Sequence, residues 1–137
     1  MAEQIKKVSP RSLGRAGESI ACDFLVKKGF SVIRKNYTVR GGEIDIIAED
    51  EKYIVFVEVK TRSAGYSIKK YGRGASAVNQ TKKKRFVFAV KSYLRAFPCE
   101  KKPRIDVIEI TLEKGEDYVA ANISHYPNAF GDTRSAN

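Results

Sequence analysis

Asp45, Glu58 and Lys60 are the residues whose types and spacing invite chemistry. They lie in GGEIDIIAEDEKYIVFVEVK, residues 41–60, which reads as two apolar strands, 43–48 and 53–61, joined by a polar turn. In a tight hairpin with Glu49 opposite Lys52, Ala48 faces Tyr53, Asp45 faces Phe56 and Glu43 faces Glu58. That register places Glu43, Asp45, Glu58 and Lys60 on one face, and Ile44, Ile46, Val55, Val57 and Val59 on the other. Asp45 and Glu58 become diagonal neighbours with Cα atoms about 7–8 Å apart, so both can reach one divalent cation between them. Like charges opposed across a sheet are destabilising, and Mg²⁺ or Mn²⁺ would reverse the sign of that interaction. Lys60 points to the same face, where it can polarise a water or hold a phosphate oxygen. Such a set suits hydrolysis of a phosphodiester. The competing reading is a half-wet sheet face on which Lys60 merely pairs with Glu58 or Glu43. The residue pattern leaves both readings open.

A first helix over residues 12–28 carries Leu13, Gly17, Ile20, Ala21, Phe24 and Leu25 on one face and stops at Gly29. Glu18 lies at the edge of that stripe. It either leans over the sheet towards the acids or pairs with Arg15 in solvent. Residues 30–40 read as a strand broken by Gly41-Gly42, and residues 62–76 as a long loop. A second helix over 77–97 buries Val78, Phe86, Ala89, Val90, Tyr93 and Leu94 and ends before Pro98. Strands at 105–112 and 119–126 complete the chain. The order gives an α/β class, a mixed sheet flanked by helices, as one domain over 10–130 with flexible ends at 1–9 and 131–137.

Charge is concentrated rather than spread. The 137 residues carry a net +10, but residues 60–104 alone hold fourteen basic residues and one acidic residue. Arg62, Lys69, Lys70, Arg73, Lys82, Lys83, Lys84 and Arg85 are therefore candidate nucleic-acid contacts. A solvated basic helix is the plainer reading. Residues 82–85 are expected to open the second helix, where cations oppose the helix dipole and a phosphate would relieve the strain. Tyr66 and Tyr71 can stack on unpaired bases, or simply belong to a mobile loop. His125, the single histidine, reads as a packing residue without a nearby acid, and Asp106 as structural. No segment is apolar enough to span a bilayer, and the first residues hold no secretory stretch. Two cysteines form no disulfide framework, so a reduced, cytoplasmic protein is expected.

The ordered motifs SLGRAGESIA, NYTVRGGEIDIIA, FVEVKTR, YGRGASAV, Lys82, RIDVIEI and NISHYPNAF resemble the YraN-like family of bacterial proteins over about residues 12–130. GEIDII followed by FVEVKTR is similar to the D…(E/D)xK signature of restriction-endonuclease-like nucleases. The resemblance implies an αβββαβ core related to Holliday-junction resolvases. It also implies Asp45 and Glu58 as metal-binding acids, Lys60 as the catalytic lysine, Val59 as a carbonyl donor, and Glu18 as a further oxygen near the metal. Gln80 and Lys82 match a supporting polar position. The implied activity is Mg²⁺- or Mn²⁺-dependent endonuclease cleavage of branched or single-stranded DNA. Alternatives are an RNA-processing nuclease, or a non-catalytic nucleic-acid-binding or assembly module on the same fold. A homodimer follows only by analogy with resolvases.

Overall fold

The structure, a computed structural model, describes residues 10–63, 73–114 and 118–130. Its elements run α1 (Pro10–Lys27), β1 (Ser31–Val39), β2 (Gly42–Glu49), β3 (Tyr53–Ser63), α2 (Arg73–Ala96), β4 (Lys102–Lys114) and β5 (Tyr118–Tyr126). This is the αβββαβ order expected, followed by one further strand. The ends 1–9 and 131–137, and the loop residues Tyr66, Lys69, Lys70 and Tyr71, lie outside the described residues.

The first helix starts at Pro10, where a missing N–H costs no helical bond. It stops where Gly29 takes φ 103°. There Phe30 N–H donates to Leu25 O and Gly29 N–H to Val26 O, each at 3.0 Å, which satisfies the last carbonyls in a Schellman cap. The second helix begins earlier than its apolar spacing suggests, at Arg73 rather than residue 77, and Arg62 belongs to β3 rather than to a loop.

All five strands form one sheet in the order β1-β2-β3-β4-β5, antiparallel except for the parallel pair β3 and β4. A parallel pair needs a crossover, and α2 supplies it. Helix α1 covers one face, where Ala21 and Leu25 meet Ile46, Ala48, Val55, Val57, Ile108, Ile110 and Leu112. Helix α2 covers the other, where Phe86, Ala89, Val90 and Tyr93 meet Ile44, Ile47, Ile54, Phe56 and Ile105. Because both faces are covered, the central strand needs apolar residues at successive positions. That accounts for the unbroken YIVFV of β3. Among the described residues no helix is long and apolar enough to cross a membrane.

Two expectations for the hairpin need correction. Glu49 pairs with Ile54 and Ala48 with Val55, two positions away from the tight-turn register. The cause is Asp50, whose Oδ1 accepts the N–H groups of Lys52 at 2.9 Å and Tyr53 at 2.7 Å. That side-chain cap holds a longer loop than a two-residue turn. A shift of two preserves which face each β3 residue occupies relative to β2. The second correction concerns Ile44, which packs under α2 with Ile47 and not with Ile46 under α1. Side-chain alternation in β2 therefore slips at Asp45.

Gly42 shows why the slip is tolerated. A Cβ there would collide with the backbone carbonyl of Arg85 and sit 3.2 Å from Ala89 Cβ, so β2 approaches α2 more closely than any side chain allows. A Cβ on Gly17 of α1 would lie 2.9 Å from Thr61 Cβ, which rotation of that side chain does not move, so α1 approaches β3 as closely. Gly42→Ala and Gly17→Ala are therefore each expected to lower stability by about 1–3 kcal/mol in denaturant melts.

Candidate active site

Backbone pairing explains where the polar residues fall. Pairing between β2 and β3 ends at Ile46 and Val57. Beyond that point β2 continues against β1 as far as Gly42, and β3 continues against β4 as far as Ser63. The sheet thus forks, with Asp45 and Glu58 at the crotch. Forking leaves the Val59 N–H without a ladder acceptor, and Asp45 Oδ2 accepts it at 2.8 Å. A strand residue directs its N–H and C=O towards the same neighbour, so the Val59 carbonyl also faces the fork.

Asp45 and Glu58 line one cavity of about 420 Å³ with Glu43, Thr81, Lys82 and Arg85. Glu58 is 7% exposed, and its Oε2 lies 4.0 Å from Lys82 Nζ. Burial pushes the Asp45 carboxyl up to about 6. The Val59 N–H opposes that rise, while the negative charges of Glu18, Glu58 and Glu43 add to it. Glu18 on α1 thus adds negative charge near Asp45. Lys60 lines an adjoining cavity together with Glu58 and Lys83. Asp45 and Lys60 thus occupy separate hollows that share Glu58 as a common wall.

Among the described residues no group of three or more His, Cys, Asp or Glu side chains closes on a point that would hold a metal. What converges is an acid pair with a backbone carbonyl. That donor set suits Mg²⁺ or Mn²⁺, which keep several waters and take one or two carboxylates, rather than a closed protein cage.

The basic candidates separate by position. Lys82, Lys83, Lys84 and Arg85 are exposed, and Lys82 and Arg85 line the acid cavity. They do not open α2. The helix starts nine residues earlier, so they lie well beyond the first turn, where the dipole acts. Gln80 is exposed beside Lys83 and Lys84 on the same helix. Arg62 Nη2 lies 4.0 Å from Glu109 Oε2 across the parallel pair.

His125 corrects another expectation, because it does have an acid partner. Its Nε2 lies 2.7 Å from Asp106 Oδ2, and its Nδ1 lies 3.2 Å from Lys28 Nζ. An ammonium can only donate, so Nδ1 accepts and Nε2–H donates to Asp106. Fully buried Asp106 also takes both Nε and Nη2 of Arg104 at 2.9 Å, and the Asn128 N–H at 2.9 Å. Burial alone would raise its carboxyl, but the bonds from Arg104, Asn128 and His125 hold it below the usual carboxylate range. The sequence spacing of Asp106 and His125 gave no sign of this pairing. It depends on the register that places His125 opposite Ile108.

A mixed sheet flanked by two helices, split between its second and third strands with acids at the split, is a restriction-endonuclease-like core. The chain belongs to the uncharacterised protein family UPF0102, the YraN family, whose model matches residues 17–110. A UPF0102 protein of Caldanaerobacter subterraneus subsp. tengcongensis is 36% identical over 127 residues, covering 92% of this chain and 100% of that one. A UPF0102 protein of Geobacter metallireducens is 40% identical over 121 residues, covering 88% and 93%. A third, of Chlorobium phaeobacteroides, is 39% identical over 127 residues, covering 88% and 95%.

Two predictions test the electrostatics. Asp45 binds its proton more tightly folded than unfolded, so its contribution to stability is fully present below pH ~4 and is lost as pH rises through about 6. Asp45→Asn keeps an acceptor for Val59 and removes that loss. It should match the wild type near pH 4 and exceed it by up to about 3 kcal/mol above pH 7, read by urea unfolding across pH. Asp106→Ala should instead cost about 3–5 kcal/mol at neutral pH by the same assay, because Arg104 and the Asn128 amide lose their acceptor.

Proposed function

We propose that this chain is a metal-dependent nuclease that hydrolyses phosphodiester bonds in DNA, acting on branched or single-stranded structures in the cytoplasm. The observation that carries the reading is the carboxylate of Asp45, partly buried at the sheet fork in one cavity with Glu58. A site that raises an acid to about 6 with three other acids in range is built to receive positive charge. Asp45, Glu58 and the Val59 carbonyl would hold Mg²⁺ or Mn²⁺, with Glu18 contributing to the field. A bound cation supplies Lewis acidity at a phosphate oxygen and lowers the pKa of a coordinated water.

This chain's own residues account for the remaining tasks. Lys60 stands on the other side of Glu58, where its ammonium can neutralise a phosphate oxygen and orient water towards phosphorus. Lys82 and Arg85 border the acid cavity, and Lys83 and Lys84 extend the positive strip along α2. They would hold the sugar-phosphate backbone without reading sequence. Lys82 already lies 4.0 Å from Glu58, so an arriving cation and phosphate would have to displace that contact. The same contact favours the rival reading, a nucleic-acid-binding module in which a lysine permanently neutralises the site.

Junction, flap and single-stranded DNA substrates with Mg²⁺ or Mn²⁺ separate the two. The nuclease reading expects cleavage that needs the cation and falls at least about 100-fold in Asp45→Ala and in Lys60→Ala. Cleavage that persists in both variants defeats it. Salt-sensitive binding without turnover, unchanged by either substitution, supports the rival. Mn²⁺ should also raise the melting temperature of the wild type, and raise that of Asp45→Asn much less.

A further inference from the structure

On the α2 side of the sheet, a second cavity of about 650 Å³ begins where the acid cavity ends. Glu58 lines both. Val107, Tyr126, Ala129 and Phe130 supply apolar and aromatic surface, Lys60 and Lys83 supply positive charge, and Glu109 adds a second acid beside Glu58. Residues 127–130 form this wall and are held in place from two sides. Asn128, at φ 51°, donates its N–H to Asp106, and Ala129 donates its N–H to Ile105 O at 2.8 Å. Phe130 is fixed edge-on against Phe86, with ring centroids 5.8 Å apart, and Lys83 Nζ lies 4.7 Å above its ring. Tyr126 remains 48% exposed. The hollow is therefore a preformed space, not a gap between loose side chains.

We propose that this cavity receives one unstacked nucleobase, with its phosphate between Lys60 and Lys83 beside the acid pair. The inference rests on the nuclease reading and narrows its substrate class to strands that can present an unpaired nucleotide. Three features support that occupant. Its volume lies in the range of small-molecule pockets and is large enough for a single nucleotide. Its walls combine aromatic and aliphatic surface with two lysines, the kind of surface that holds unpaired bases and their phosphates, and Glu58 and Glu109 lie beside them. Its concave form excludes a base still stacked and paired in a duplex, since such a base cannot reach into a pocket without leaving the helix.

Binding tests this apart from catalysis. In EDTA, where a metal-dependent nuclease cannot cut, fluorescence anisotropy would compare a labelled twelve-residue oligothymidylate with an equally charged oligomer of tetrahydrofuran abasic sites. The wild type should bind the oligothymidylate at least about tenfold more tightly. Ala129→Trp, which adds bulk to the lining from an exposed position, should reduce that preference to within about twofold while leaving the abasic affinity unchanged. If thermal melting shows that this variant does not fold, Tyr126→Ala, which removes a wall, should cut the preference in the same way. Equal affinity for the two oligomers in the wild type overturns the proposal, as does a preference that survives in the folded variants. Failure to cleave any substrate with metal would defeat the nuclease reading and leave this base preference to be judged separately.

Discussion

Where β2 parts from β3, the backbone amide of Val59 must find an acceptor, and the carboxylate of Asp45 is that acceptor. Much of the site follows from this single bond. It holds Asp45 at the fork rather than in solvent. It positions the aspartate beside Glu58, and it keeps the Val59 carbonyl turned towards the same gap. The Val59 amide does not offset burial and the nearby charges of Glu18, Glu58 and Glu43, so the carboxyl stays raised. The bond that closes the backbone at the fork is therefore also the one that holds Asp45 among other acids. A sheet that stayed zipped would need no such acid. A fork without an acid would leave an unsatisfied amide.

Topology then determines what surrounds the fork. A parallel β3–β4 pair cannot be joined by a hairpin, so α2 must cross the sheet, and its path lays residues 82–85 against the acid cavity. The close approach at Gly42 brings that helix within contact of β2. Positive charge thus reaches the acids from the middle of a helix, where the macrodipole contributes little and the side chains themselves supply the field. The crossover helix alone carries seven basic residues and no acid, so most of the +10 net charge is gathered on one element.

Much of this was legible in the sequence, for identifiable reasons. Helical spacing of Ala21 and Leu25, or of Phe86, Ala89, Val90 and Tyr93, fixes which face each helix buries, and the core uses those faces. The acids and lysine interrupt apolar strands, and that conflict between local pattern and burial singles out the residues that line the two adjoining cavities. What could not be read depends on side chains acting on the backbone. Asp50 captures two amides and lengthens the β2–β3 turn, which moves the register by two. The slip at Asp45 sends Ile44 to the α2 side, and nothing in a string of isoleucines announces it. His125 looked solitary because its partner, Asp106, is nineteen residues away and reaches it only through the β4–β5 register.

The contrast between the two buried aspartates shows how one residue type serves opposite ends in one sheet. Asp106 receives a bidentate Arg104, a histidine N–H and a backbone amide, so ionisation is favoured and the group is chemically inert. Asp45 accepts the Val59 amide and lies within range of Glu18, Glu58 and Glu43, so its carboxyl is raised to about 6. The difference lies in the balance of donors to like charges, not in depth of burial, since Asp106 is the more deeply buried of the two. By that balance, Asp106 clamps residues 127–130 through the Asn128 amide, while Asp45 stays a raised carboxyl at the sheet fork.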